Sequence, residues 1–444
     1  MTKARLDGLY LVVLGALVFV LMGSALETVA PVSTVDFRVV YFSAKCLLDH
    51  RDPYNSSELD NIYRTEGGES ARDSAQIKRS ERRYNYLPTA FLITLPFAIL
   101  PFGPAHIIWL LFTASCVLLA SYLIWDIGAC FAPTLSGGLV CLSLATSELF
   151  LILGNPAGIA VSLCAIATWC FVKRRLISVG ILCFALSLML KPHDSGLIWL
   201  YFVLAGGVYR RRAWQTAAAV FVLSLPVVLW VTYVTPNWFH EFRTTLLGYS
   251  SPGDVNDPGP TSMASHGIGM VINLQTVFSV FRDDPGFYNP ITYVLFGALL
   301  ITWIVLTLRS RPTETIAWFA LAPMTALSML PIYHRVYDAK LLLLAIPACC
   351  ILGQRGGAFS RIIVISVALA LILTGAMPWA IFLSLLSHTK LPPWLASFKI
   401  MEVLQMFPVP LILLLVGILL LLAYAHSLNG QPQRRLVEGK NMTV

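Results

Sequence analysis

The chain has 444 residues, 57% of them hydrophobic and only 12% charged, whereas an ordinary soluble domain carries roughly 25% charged residues. That shortage excludes a water-soluble body for most of the molecule. The formal net charge of +8 calls for no nucleic-acid partner, because the basic residues fall in short runs between apolar stretches (Lys173-Arg174-Arg175, Arg210-Arg211-Arg212, Arg309 with Arg311, Arg434-Arg435), which is how positive-inside signals look.

In chain order, the apolar stretches read as helices over 8–30, 104–126, 132–153, 155–172, 176–190, 195–209, 213–234, 290–309, 314–332, 338–353, 360–387 and 408–426. A spanning helix needs about 20 mostly apolar residues, so the expectation is an all-α membrane protein, a bundle of about twelve transmembrane helices. The first stretch follows Lys3 and Arg5 and is long for a signal-peptide core. It is read as an uncleaved first span. A further stretch, 87–102, is short and holds Pro88, Pro96 and Pro101. If it crossed, the 173–175 run would face outward, against the positive-inside rule. Read as a re-entrant or juxtamembrane half-helix, it leaves every basic run inside, together with both termini. The expected organisation is one transmembrane domain over 1–426 with outer loops at 31–86 and 235–289, and a cytoplasmic tail at 427–444. The plasma membrane is the expected location.

This topology places the chemically rich segments on one face, the outer one. Asp36 follows the first span and heads a short amphipathic stretch. It reads either as a helix cap or as a catalytic carboxylate at the membrane boundary, and the two roles are not exclusive. Lys191-Pro192-His193-Asp194 joins two spans. Snorkelling explains many such lysines, but the outer face does not ask for a cation, and a lysine with a histidine at headgroup depth suits a lipid phosphate. Tyr333-His334-Arg335-Val336-Tyr337-Asp338 is a second polar cluster, in which His334 and Arg335 suit a phosphate or a sugar. Tyr84 and Tyr86 fit an interfacial aromatic belt and equally suit sugar stacking. His266 is a weaker candidate, and Asp283-Asp284 before Pro285 reads as turn chemistry.

Phosphate-binding loops, serine-hydrolase elbows and HExxH motifs are all missing, which argues against ATP-driven transport. Charged residues inside the spans are too sparse for an ion pathway. Nine cysteines show neither CxxC pairs nor Cys/His ligand spacing, so neither a disulfide framework nor a zinc site is supported.

The series Asp36-Phe37, Tyr41, Ala44, Leu47-Leu48, Asp52-Pro53-Tyr54 resembles the first-loop motif of glycosyltransferase family 87. Tyr86-Leu87-Pro88, Gly154-Asn155, Lys191-Pro192 and His334 to Asp338 resemble that family's later segments in the same order. The resemblance covers about residues 8–355. Asn155 stands where the family usually has glutamine, and Leu87 where it often has proline. The resemblance implies a GT-C-type membrane enzyme that takes a hexose, mannose by family preference, from a polyprenyl-phosphate sugar. The acceptor would be a glycolipid, a glycan or a protein, and the displacement would invert the anomeric carbon. Asp36 would be the base. Lys191, His193, His334 and Arg335 would hold the donor phosphate, and Tyr84, Tyr86, Asn155, His266, Tyr333 and Asp338 would meet sugar or acceptor. No metal and no cofactor are expected. The competing expectations are a multi-spanning transporter or lipid flippase, for which no matching pair of broken helices is seen, and a polymerase or ligase of surface polysaccharide.

Overall fold

The computed structural model describes residues 2–30, 33–65, 83–260, 262, 271–388 and 398–429. The described residues are almost wholly helical, and their only strand-like pairing is an isolated antiparallel bridge between Val271 and Arg335. Six helices are long and apolar enough to cross a membrane. They are α1 (Lys3–Val29), α5 (Phe102–Gly128), the joined pair α6 (Pro133–Ala145) and α7 (Leu149–Ile152), α11 (Gly207–Val234), α14 (Pro285–Arg309) and α19 (Pro408–Leu428). A seventh is counted if α17 (Ala358–Leu373) and α18 (Ala376–His388), bent by 89° at Thr374-Gly375, form one span.

The remaining apolar stretches are helical but shorter: α8 (Ala157–Lys173), α9 (Ile177–Leu190), α10 (Pro192–Ala205), α15 (Glu314–Leu327) and α16 (Ile346–Arg355). The expected span at 338–353 begins instead as a 3₁₀ helix, Asp338–Ala345, before α16. The 87–102 stretch is a 3₁₀ turn, Pro88–Ala90, followed by α4 (Phe91–Ala98). At about 1.5 Å per residue, roughly 12 Å of α-helix cannot cross a bilayer.

Burial separates two populations of apolar helix. From Ile316 to Leu327 every residue of α15 is buried, and α8 is buried along nearly its whole length. These two helices, with the 3₁₀ segment, make the centre. Helices α11 and α14 instead expose apolar side chains such as Leu229 and Val294. A helix with an apolar outward face is stable only where lipid replaces water. Between α1 and α6 the packing runs through glycine: a Cβ on Gly15 would lie 2.7 Å from the Cys141 Cα, and one on Gly137 would lie 2.4 Å from the Gly8 carbonyl oxygen. Small residues at such spacing let membrane helices approach backbone to backbone.

The polar loops build structure of their own. Helix α2 (Val35–Leu48) follows α1, α3 (Ser56–Thr65) follows α2, and α12 (Trp238–Tyr249) and α13 (Leu274–Ser279) lie in the 235–289 loop. That loop returns along the segment after α15: the Ile272 N–H donates to the His334 carbonyl at 2.9 Å, and the Leu274 N–H to that of Leu330 at 3.0 Å. The nine cysteines are free thiols.

Candidate active site

Three helix interruptions bring the polar residues together. The first precedes α2, where Thr34 takes a left-handed conformation and donates its N–H to the Ile152 carbonyl at 2.8 Å. The Asp36 and Phe37 N–H groups both donate to Leu153, at 3.0 and 3.2 Å. The start of α2 is thus capped by the end of α7 rather than by its own side chains. This answers the capping question about Asp36, whose carboxylate bonds across the chain.

The second interruption is Gly154-Asn155, between α7 and α8. Gly154 has φ +62°, and a Cβ there would sit 2.6 Å from that of Phe37. The Trp109 indole donates to the Gly154 carbonyl at 2.8 Å. Asn155 accepts the Ala157 N–H on Oδ1 at 2.7 Å, which fixes its amide so that Nδ2 donates to Asp36 Oδ2 at 2.6 Å. Burial pushes the half-buried Asp36 carboxyl above the ordinary carboxylate range. The Asn155 hydrogen bond and the Arg335 and Lys191 charges pull it back, while Asp338 adds to the rise.

The third interruption is Lys191-Pro192. Proline disfavours helix at the residue before it, so Lys191 leaves the helical path (φ −144°, ψ 84°) and α10 restarts with Pro192 at its first position. The Lys191 ammonium is buried. It donates to Asp338 Oδ1 at 2.6 Å, lies 3.6 Å from Asp194 Oδ2, and sits 5.2 Å from the Tyr337 ring centre. The other Asp338 oxygen accepts the Arg335 N–H at 2.8 Å. Both Asp338 oxygens are therefore engaged within the protein, which makes Asp338 the link between Lys191 and the Arg335 backbone.

Arg335 is tied down as well. Its guanidinium donates to the Tyr333 hydroxyl, to the Val255 carbonyl at 3.0 Å and to Asn256 at 3.3 Å. It thereby fastens the 235–289 loop over the cluster. His334 is fully buried, 3.5 Å from Asp194 Oδ1, and its Nδ1 faces the Ile332 carbonyl at 3.2 Å. Burial and the neighbouring His193 push its pKa down to about 4, so near neutral pH the ring is an uncharged hydrogen-bonding group. His193 stands beside it, ring centre to ring centre 5.0 Å.

Of the remaining expected residues, Tyr86 and Tyr333 are half-buried, and burial, with Asp36 and Asp338 nearby, holds the Tyr86 hydroxyl well above the ordinary phenol range. Tyr84 is 1% exposed and stacks on Phe91 with ring centres 4.8 Å apart. It belongs to the aromatic core and offers no face to a sugar. His266 lies outside the described residues. The residue missed in the sequence is Asp194, which faces Lys191, His193 and His334 together. Its three-residue spacing from Lys191 in the first turn of a helix was the available signal.

Three carboxylates, two cations, two histidines and a positioned amide thus meet at the junction of α2, α8, α10 and the loop after α15. Such a set suits proton removal from a hydroxyl beside a bound anion. No curated protein and no solved structure matches the chain. The model of glycosyltransferase family 87 matches residues 84–331, more than half of the chain, and leaves Asp36 well before its start and His334–Asp338 just past its end; with that match the chain belongs to glycosyltransferase family 87.

Proposed function

We propose that this glycosyltransferase takes a hexose, mannose in the first instance, from a polyprenyl-phosphate sugar and passes it to a hydroxyl of a glycolipid or glycan with inversion. The reading rests above all on Asp36, a half-buried carboxylate whose amide partner Asn155 fixes one oxygen and whose nearest cations belong to other elements. A base that takes a proton must be ionised, within reach, and not consumed by an ion pair. Among the described residues Asp36 forms no ion pair within 4 Å, whereas Lys191 is held by Asp338.

The steps follow from this arrangement. The acceptor hydroxyl gives its proton to Asp36 as its oxygen bonds to the anomeric carbon. The bond from that carbon to the phosphate oxygen breaks, and its electron pair leaves with the polyprenyl phosphate. Attack opposite the departing oxygen inverts the centre. Lys191 and Arg335 offset the growing phosphate charge. Tyr86 and Tyr333 line the space for sugar and acceptor. The lipid tail lies against the exposed apolar helices.

The proposal includes the twelve-crossing topology, with both termini inside and the active site on the outer face of the plasma membrane. Supporting it, α8 starts at the Asp36–Asn155 contact and ends at Lys173. At about 1.5 Å per residue the basic 173–175 run lies roughly 25 Å away along the helix axis. Cysteine labelling that finds position 173 accessible from outside would sink this orientation.

The decisive experiment incubates the purified protein with a panel of prenyl-phosphate hexoses and prenyl-pyrophosphate glycans, with acceptors read by mass spectrometry. A single hexose added from a monophosphate donor is the expected result. Transfer only from pyrophosphate-linked glycans would reject the donor assignment and make the chain a polysaccharide ligase.

A further inference from the structure

We propose that His193, Asp194 and His334 form a binding site for one divalent transition-metal ion, Zn²⁺ being the best fit. The geometry is that of a ligand set. The His193 and His334 Nε2 atoms each lie 3.5 Å from Asp194 Oδ1, and all three ligand atoms lie within 4.8 Å of one another. Ligands about 2.0–2.1 Å from a tetrahedral metal stand roughly 3.4 Å apart. Hydrogen-bonded pairs of these atom types close to about 2.7–3.2 Å.

These atoms also lack other partners. His193 Nε2, His334 Nε2 and Asp194 Oδ1 are buried with no hydrogen-bond partner among the described residues. Asp194 and His334 are 0% exposed. Orphan buried polar atoms are costly, and here three of them converge on one point. The outer contacts agree. The Ile332 carbonyl facing His334 Nδ1 at 3.2 Å takes a hydrogen from that nitrogen and leaves the Nε2 lone pair for a metal, the usual backbone support of a ligating histidine. Lys191 approaches Asp194 on the other oxygen, Oδ2, so Oδ1 stays available.

Two imidazoles and one carboxylate leave a fourth position open, as catalytic zinc sites do. A donor phosphate oxygen suits that position, and this last assignment rests on the lipid-phosphate reading above. The sequence alone gave no sign of the site, because its ligands come from two segments about 140 residues apart.

The test reads metal content and is independent of transfer. Full-length protein in nanodiscs is stripped with EDTA, dialysed, and titrated with Zn²⁺, Mn²⁺ and Co²⁺ under metal analysis and visible spectroscopy. About one equivalent of Zn²⁺, and Co²⁺ absorption bands of a low-coordinate histidine site, are expected. Both should be lost in His193→Ala and His334→Ala and kept in Asp36→Asn. A stripped wild-type protein that binds no equivalent and shows no such bands overturns the site, whether or not the variants fold. Folded histidine variants that bind like the wild type overturn it as well. Bound metal without transfer from any prenyl-phosphate sugar supports the site and rejects the donor. Full transfer after complete stripping rejects the metal's part in the reaction.

Discussion

Two buried lysines show how differently the same residue is used at the active-site end and in the core. Lys191 is 6% exposed and Lys340 3%. Lys191 is held by carboxylates, Asp338 at 2.6 Å and Asp194 at 3.6 Å. Lys340 has no carboxylate within 4 Å among the described residues. Its ammonium donates to the hydroxyls of Thr146 at 2.7 Å and Thr374 at 3.0 Å and lies 3.4 Å from the Leu371 carbonyl. Those partners cluster at the 89° bend between α17 and α18, and on its other side Glu148 accepts the Met377 N–H at 2.9 Å. Lys340 and Glu148 thus satisfy backbone groups freed where a helix breaks inside the apolar bundle, which the absence of water there requires. Lys191 stands among groups that titrate and that come from separate elements. The first kind of site holds a shape, and the second holds charge in readiness for a ligand.

This contrast can be broken at several points. The largest effect is expected at Asp36: Asp36→Asn keeps nearly the same volume and should lower transfer by about 10²–10⁴-fold, the usual worth of a general base, with an unchanged unfolding midpoint. Activity near wild type would remove Asp36 from the chemistry. Next comes Lys191→Met, which leaves Asp194 and Asp338 buried without their cation. A stability loss of about 3–5 kcal/mol is expected for breaking a buried pair from one side, with impaired donor binding. Chemical unfolding in detergent measures the first and donor KM the second, and an unperturbed KM would take Lys191 off the phosphate.

Smaller effects sharpen the comparison. Gly154→Ala forces a Cβ to 2.6 Å from Phe37 at φ +62°. The strain should cost about 1–2 kcal/mol and shift Asn155 off Asp36, so kcat should fall more than stability does; equal activity would show that the turn tolerates a side chain. Lys340→Met should lie within about 1 kcal/mol of wild type or slightly above it, since apolar replacement of a buried charge is often neutral. Thr146 and Thr374 keep their bonds to Leu142 and Ala370. An altered donor KM in that variant would erase the distinction between the two lysines.

The finest test is the pH profile. Burial raises the Asp36 carboxyl, so the ionised base is lost as pH falls through a value above the ordinary carboxylate range. The acid limb of kcat/KM should sit there. The Asn155 hydrogen bond opposes the rise, so Asn155→Leu should move the limb to higher pH. A limb that stays in place would mean that another group titrates.

Much of the fold was legible because hydropathy is a local property. Each of the apolar stretches is helical, and the proline-marked 87–102 stretch is short, as the position of its prolines requires. The interruptions were legible too: Gly154, Asn155, Lys191 and Pro192 stood out as polar or helix-breaking residues in apolar surroundings. Less legible was what each side chain does once placed. Tyr84 and Tyr86 are two residues apart, yet one is core and the other faces the site, because the chain is irregular there and no period applies. The pairing of Asp338 with Lys191 could not be read from positions 147 residues apart.

Composition and local propensity act residue by residue, and they suffice to make the chain an apolar helical bundle with polar breaks. Which breaks meet is set by long-range packing. Asp36 found Asn155, Lys191 found Asp338, and Asp194 came between two histidines because buried charges and orphan polar atoms must find partners across the chain. Apart from the adjacent His193 and Asp194, those partners lie more than a hundred residues apart, where no periodicity reaches.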